Sequence, residues 1–465
     1  MCYNQSLERI QRTRIAHSAS TPLNIYFDVS PNPAFVDEEL RIRVRGLRPR
    51  QALILRASAE DGDGRRWCSH AQFCADEFGV VDAAAQDSGG GTYHGHSPMG
   101  LLWSMRLDNA HVNGQSTYTK NDASPDRVAL EVELDGSIAR SAELDRNFLA
   151  PGTEVRDLHI GDNLTGNGSS REAGRVGRLF IPPGRGPLPV AVVLSGSGGG
   201  FDTDKAAMLS RHGFATLALA YFGIQPLPAW LHRIPLDYFE AALAWLASHP
   251  ELDMERIGAL GVSRGAELAL LLGTKFPQIR AIIAYAPSSV TWAAGGRDRA
   301  TGESIPCWTW RGEPVPFAPL PLRSFMLRSA FPVAVARRPV MFRNLFRAGL
   351  RNRKAVERAA IPVEQIRGPI LLVSGGDDHV WPATQMSEAI LARLALHHFP
   401  HAVEHQNYPR AGHMLRYPYL PTTARQSRNR HLRNARFSFG GTAPADAEAN
   451  ADSWRRAIAF LHAHL

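Results

Sequence analysis

The stretch Gly261-Val262-Ser263-Arg264-Gly265 constrains this chain more than any other, because of what flanks it. The apolar run Ile257 to Val262 leads into it, and Ala266 to Leu272 continues from it at helical spacing. A serine between two glycines at such a junction marks a tight turn from strand to helix, where a side chain at either flank obstructs the backbone. A short strand that is apolar on both faces belongs in a parallel sheet covered by helices. Runs of the same kind recur at Val190 to Leu194, Phe214 to Ala220, Ala281 to Tyr285 and Ile370 to Ser374, with Val403 to Tyr408 as a last strand. Between them Leu236, Phe239, Leu243 and Leu246 fall at helical spacing, and Ser453 to Leu465 reads as a closing helix. Strand and helix in alternation predict a doubly wound, mostly parallel α/β sheet.

The first third of the chain follows another period. Leu40, Ile42 and Val44 alternate with Arg41, Arg43 and Arg45, and Val128, Leu130, Val132 and Leu134 alternate with Ala129, Glu131 and Glu133. One apolar and one polar face is the mark of half-buried antiparallel strands, and several such runs from Pro22 to Leu134 predict an all-β, immunoglobulin-like sandwich. At 465 residues the chain is long enough for two cores. The division expected is an N-terminal extension over 1–20, the sandwich over 21–150, a linker over 151–178 and the α/β domain over 179–465. The linker is read from the polar, glycine-rich run around Gly161 to Gly174. A stretch of about 290–364, rich in Pro, Trp and Arg, interrupts the alternation and is too long for an ordinary loop, so it reads as an insertion near the top of the sheet.

The elbow makes Ser263 a candidate nucleophile. A serine hydroxyl attacks poorly at neutral pH and needs a base, which in turn needs an orienting acid. In the α/β-hydrolase arrangement to which such an elbow belongs, the chain order is serine, acid, histidine. The acid turn is Gly375-Gly376-Asp377-Asp378-His379-Val380-Trp381-Pro382, just after a strand, and His413 closes Tyr408-Pro409-Arg410-Ala411-Gly412-His413 after the next. Asp378 is preferred to Asp377 because it stands three residues after Gly375 and four before Pro382. His379, His398, His401 and His405 do not sit just beyond the last strand and read as surface or packing residues. The backbone N–H of Arg264 faces a developing oxyanion at a helix N-terminus, where the dipole favours negative charge. A second donor is expected from the loop Ser195 to Gly200, with Ser197 ahead of Gly198. That loop lacks the spacing of a phosphate-gripping loop.

Composition excludes several other classes. The net charge is +8, yet only four of the 52 basic residues are lysines. This bias reads as GC-rich coding, and no zinc-finger spacing, basic-zipper heptad or RNA-binding motif accompanies it, so no nucleic-acid partner is expected. Cys2, Cys68, Cys74 and Cys307 show neither paired metal spacing nor the density of a disulfide scaffold, and neither a metal nor an organic cofactor is expected. Met1 to Ser18 lacks an apolar core of signal-peptide length and no run of ~18 apolar residues is present to span a bilayer, which predicts a cytoplasmic protein. The tripeptide Ala463-His464-Leu465 fits only a loose variant of a peroxisomal address.

Beyond the elbow, the chain resembles a family. Ser195-Gly196-Ser197-Gly198-Gly199-Gly200, Leu219-Ala220-Tyr221-Phe222, Ser248-His249-Pro250, Leu260 to Leu268, Gly376-Asp377-Asp378-His379 and Gly412-His413 look like the acyl-CoA thioesterases related to bile acid-CoA:amino acid N-acyltransferase. The likeness extends forward to Val44-Arg45-Gly46-Leu47, Leu55-Arg56-Ala57-Ser58 and Ser97-Pro98-Met99-Gly100-Leu101-Leu102-Trp103. It implies a β-sandwich ahead of an α/β-hydrolase domain and a triad falling on Ser263, Asp378 and His413. The conjugating branch of that family uses a cysteine nucleophile, so Ser263 favours hydrolysis of an acyl-CoA over transfer to an amine. Amino acid N-acyltransfer, a carboxylesterase or dienelactone-hydrolase-like activity, and an inert binding protein that keeps the fold are the alternatives. Cys307 to Arg358 departs from the family and is rich in arginine, and there Arg337, Arg338 and Arg343 are candidates for binding the CoA phosphates.

Overall fold

The computed structural model describes residues 24–108, 117–120, 122–160, 174–184, 186–330, 335–336, 338–429 and 435–465. The alternating runs near the N-terminus form two antiparallel-rich sheets. In the larger, Ala52–Glu60 pairs with Arg66–Cys74 on one side and Asp126–Leu134 on the other, and Asp126–Leu134 pairs in turn with Ser137–Asn147. The smaller is built on Tyr26–Ser30, Arg41–Arg45 and Val81–Asp82. Leu53, Leu55, Ala57 and Ala59 are buried while the residues between them are not, as period two requires.

The second sheet has eight strands: β1 (Glu154–His159), β2 (Arg175–Ile181), β3 (Leu188–Leu194), β4 (Ala215–Leu219), β5 (Leu252–Val262), β6 (Ile279–Tyr285), β7 (Ile370–Gly375) and β8 (Val403–Tyr408). Their spatial order is β1-β2-β4-β3-β5-β6-β7-β8. Pairs from β4 to β8 are parallel, whereas β1 and β2 are antiparallel to their neighbours. Side chains alternate between two apolar layers. Val190, Val192, Ile282 and Ala284 join α2 (Asp237–Ala247) and α3 (Arg264–Lys275) on one face. Ala191, Val193, Ile283 and Val373 join α1 (Thr203–Ser210) on the other. That second layer also takes in Leu130 and Phe148 of the N-terminal half and Trp454 and Leu461, so one apolar cluster runs through both halves of the chain.

Two expectations are corrected. The ends of the expected linker over 151–178 are β1 and β2, two strands of the sheet, while residues 161–173 lie outside the described ones. These strands form an antiparallel ladder crossed by an ion pair, Arg178 Nε 2.8 Å from Asp157 Oδ1, and charged residues break what would otherwise be a continuous apolar run like that of the central strands. The closing helix begins at Ala443 rather than Ser453. Thr442 caps it by accepting from the Ala445 N–H, and Pro444 sits in the first turn, where no backbone donor is needed.

The stretch between β6 and β7 folds as an excursion. Ala293–Arg297 pairs with Ser304–Pro306, Trp308–Trp310 pairs with Ile234–Pro235, and a helix covers Arg343–Leu350. Among the described residues no helix is long and apolar enough to cross a membrane.

Candidate active site

The carboxyl ends of β3, β5, β6, β7 and β8 lie side by side, with Leu194 opposite Gly261, Val262 opposite Tyr285 and Gly375 opposite Tyr408. Loops leaving this edge of a parallel sheet converge on one crevice. Ser263 leaves β5 at φ 57° and ψ −116°, a left-handed conformation held by its N–H donating to the Tyr285 carbonyl at 2.8 Å. The flanking glycines are sterically required. A Cβ on Gly261 would stand 2.0 Å from the Gly265 carbonyl oxygen, and one on Gly265 would stand 2.4 Å from that of Ser195.

His413 Nε2 lies 3.1 Å from Ser263 Oγ, and His413 Nδ1 lies 2.7 Å from Asp378 Oδ2. All three residues are buried, with relative exposures of 6%, 7% and 2% for Ser263, His413 and Asp378. The other Asp378 oxygen, Oδ1, accepts from the Val380 and Trp381 N–H groups at 2.7 and 3.1 Å. Asp377 is turned elsewhere: it accepts from His379 Nε2 at 3.0 Å and from the Gly441 N–H at 3.0 Å. His379 is completed by Ser438, and His405 by Ser374. The Trp381 ring meets His413 edge-on at 6.1 Å, and its indole N–H donates to the Ala286 carbonyl.

The loop after β3 borders the serine, since a Cβ on Gly196 would stand 3.5 Å from that of Ser263. Ser197 and Gly198 are exposed in it. Among the described residues the backbone N–H groups of Arg264, Ser197 and Gly198 have no protein acceptor. The loop itself is braced by Ser195 Oγ donating to the Gly200 carbonyl and by Tyr221 donating to the Ser195 carbonyl.

Two supports were not evident in the sequence. The Arg264 side chain is buried and pairs with Glu267 at 2.9 Å, while donating to the Ala293 carbonyl at 3.0 Å. Glu267 also accepts from the Trp308 indole at 2.8 Å, so the first turn of α3 is tied to the excursion after β6. Burial works against the Arg264 cation, but the Glu267 carboxylate beside it prevails and holds the guanidinium above its usual range. Burial pushes the neighbouring Cys307 thiol up to about 12, which leaves it inert as a nucleophile. The only sequence signal for this pair is the i,i+3 spacing of Arg264 and Glu267. The second support is Asp446, buried, whose Oδ1 accepts from the Gly412 N–H at 2.7 Å.

Of the expected phosphate-binding arginines, Arg337 lies outside the described residues and Arg338 is exposed. Arg343 stands beside the acid turn: its N–H donates to the His379 carbonyl, and its guanidinium comes to 3.7 Å from Asp377. Burial, and then Arg347 next to it, lower the Arg343 pKa from its ordinary value. Among the described residues no cluster of His, Cys, Asp and Glu is disposed to hold a metal ion.

The family description "Acyl-CoA thioester hydrolase/BAAT N-terminal region" matches residues 37–159, and "BAAT / Acyl-CoA thioester hydrolase C terminal" matches 234–465. The mouse peroxisomal succinyl-coenzyme A thioesterase is 32% identical over 438 residues, covering 92% of this chain and 94% of that protein. Human acyl-coenzyme A thioesterase 1 is 33% identical over 92% of this chain and 94% of its own length. The human mitochondrial acyl-coenzyme A thioesterase 2 is 33% identical over 92% of this chain and 82% of its own. Among solved structures, a putative dienelactone hydrolase from Klebsiella pneumoniae aligns with 67% of this chain and 99% of its own at 16% identity, with a TM-score of 0.39. With both parts of the family present in order, and a third of the residues shared with its members along nearly the whole length, the chain belongs to the acyl-CoA thioester hydrolase/BAAT family.

Proposed function

We propose that this protein hydrolyses acyl-CoA thioesters to the free acid and CoA through an acyl-enzyme on Ser263. The observation that carries the reading is the unbroken relay from Asp378 through His413 to Ser263, at 2.7 and 3.1 Å, on a strained elbow. As Ser263 Oγ bonds to the thioester carbon, His413 Nε2 takes its proton and the carbonyl oxygen becomes an oxyanion. The N–H groups of Arg264 and of Ser197 or Gly198 receive that charge. Collapse of the oxyanion breaks the C–S bond, and His413 returns the proton to the leaving sulfur. Water then attacks the ester carbon with His413 as base, which frees the acid and restores Ser263. Asp378 fixes the imidazole tautomer and stabilises the cation it becomes.

Serine as nucleophile favours water over an amine as acceptor, because an oxygen ester is less reactive toward aminolysis than a thioester. We assign the CoA phosphates to the arginines after β6, Arg343 and Arg338 with Arg337. Two observations support this: Arg343 adjoins the acid turn, and no Asp or Glu occurs from Arg323 to Arg353 to neutralise the charge. A cytoplasmic location is part of the same proposal.

The test is thiol release from acyl-CoAs of short, long and aromatic chains, with and without glycine or taurine. Free acid as the sole acyl product in both conditions is expected. Ser263→Ala should lower kcat by about 10⁴ or more with the fold intact. Near-normal turnover by that variant, or amine-dependent conjugates as the main product, overturns the reading.

A further inference from the structure

The loop carrying His413 is packed between the acid turn and the first turn of the closing helix. The His413 N–H donates to the Phe439 carbonyl at 2.9 Å, and the Thr442 N–H donates to the Arg410 carbonyl at 3.1 Å. Gly412 lies at the centre of this contact, where a Cβ would stand 2.5 Å from the Gly440 carbonyl oxygen and 2.7 Å from that of Phe439. With no side chain possible there, the loop's orientation depends on its backbone bonds. The Gly412 N–H points into the protein and meets a side-chain acceptor, Asp446 Oδ1, at 2.7 Å. Asp446 is itself 4% exposed. Its own N–H donates to Thr442, and its Oδ2 is 3.4 Å from Arg425 Nη1. A second Arg425 nitrogen donates to the Gly440 carbonyl, so the same guanidinium grips both walls of the contact.

We infer that Asp446 is a positioning residue for His413, acting through its hydrogen bond to the Gly412 N–H rather than through any contact with substrate. This rests on the reading of His413 as the base. Burying a carboxyl group is costly, and here the Gly412 N–H and the Arg425 cation offset part of that cost. The bond therefore survives burial and acts one residue from the imidazole. Displacing a reacting group by about 1 Å can cost about 10²-fold in rate, and losing this bond frees the backbone to make a displacement of that order.

The experiment compares Asp446→Ala, Asp446→Thr and Asp446→Asn in the full chain, with kcat counted per Ser263 labelled by a fluorophosphonate at completion. Asparagine keeps an acceptor in the Oδ1 place; threonine fills part of the volume but sets its oxygen back from Gly412. Expected are a fall in kcat of about 10²-fold for the Ala and Thr variants at unchanged KM, a matching slowing of fluorophosphonate labelling, and recovery of most of the rate in the Asn variant. The downfield proton resonance of His413 Nδ1 should broaden or shift in Ala and Thr and persist in Asn. Wild-type kcat in the Ala or Thr variant overturns the assignment, and so does an Asn variant as slow as either. Failure of the underlying reading shows separately, as turnover retained in His413→Gln.

Discussion

Replacing Asp378 by Asn is the sharpest test of the relay, because the structure dictates how the new amide must sit. The Val380 and Trp381 N–H groups both point at Oδ1, at 2.7 and 3.1 Å. Only the amide oxygen can accept from them, so the amide nitrogen must take the place of Oδ2, which is 2.7 Å from His413 Nδ1. A donor there forces Nδ1 to accept and puts the imidazole proton on Nε2, the atom 3.1 Å from Ser263 Oγ. That nitrogen can no longer take the serine proton. The expected loss in kcat is about 10⁴-fold, or ~5.5 kcal/mol of transition-state stabilisation, with the acid turn still folded because its two backbone bonds are kept. Asp377→Asn is the control: its oxygens serve His379 and Gly441, outside the relay, and it should cost far less. Both variants are assayed by thiol release from an acyl-CoA and by fluorophosphonate labelling. An Asp378→Asn enzyme within about tenfold of the parent, which is ~1.4 kcal/mol, or the reverse ranking of the two, refutes the argument.

Gly265→Ala should destabilise the protein by about 3 kcal/mol, since its Cβ would stand 2.4 and 2.5 Å from two backbone carbonyl oxygens; an unchanged calorimetric midpoint refutes this. Neutralising Arg337, Arg338 and Arg343 together should raise KM for acyl-CoA about tenfold, ~1.4 kcal/mol over three ionic contacts, with little effect on a short thioester lacking the nucleotide. Equal changes for both substrates remove the CoA role. Burial raises Asp446 in the folded protein to about 7 from 3.8, more than the Gly412 N–H and Arg425 lower it, with Asp377 and Asp378 adding smaller rises. The folded state thus holds a proton that the unfolded chain has released, so this carboxyl's contribution to stability falls as pH rises from about 4 to about 7. Asp446→Asn removes that titration, so the stability of the variant relative to the parent should rise across the same range, measured by denaturant unfolding; a flat difference refutes it.

The elbow was legible because two glycines and a serine leave one backbone solution, and the central strands because burial on both faces writes a continuous apolar run. Spacing alone distinguishes Asp378 from Asp377, and in the structure the first faces His413 while the second faces Gly441. What escaped did so for physical reasons. β1 carries Glu154, Arg156 and Asp157, and β2 opens on Arg175, Gly177 and Arg178 before its buried Leu179 and Phe180, so neither begins as an apolar run. The early start of the closing helix was hidden by Pro444, which only looks like a breaker when its place in the first turn is unknown. Glu267 and Asp446 gave no local sign of burial, since an acidic residue is ordinarily on the surface and only the tertiary partners, Arg264 and the Gly412 N–H, make the interior tolerable.

The apolar cluster that runs from Leu130 and Phe148 into Trp454 and Leu461 makes the two halves partners in unfolding. Its polar edge is tied as well, with the Trp454 indole donating to Asp37 and Arg416 donating to the Tyr118 carbonyl. A catalytic half expressed alone would present to water the face on which the β-rich half rests, and would aggregate before it could be assayed.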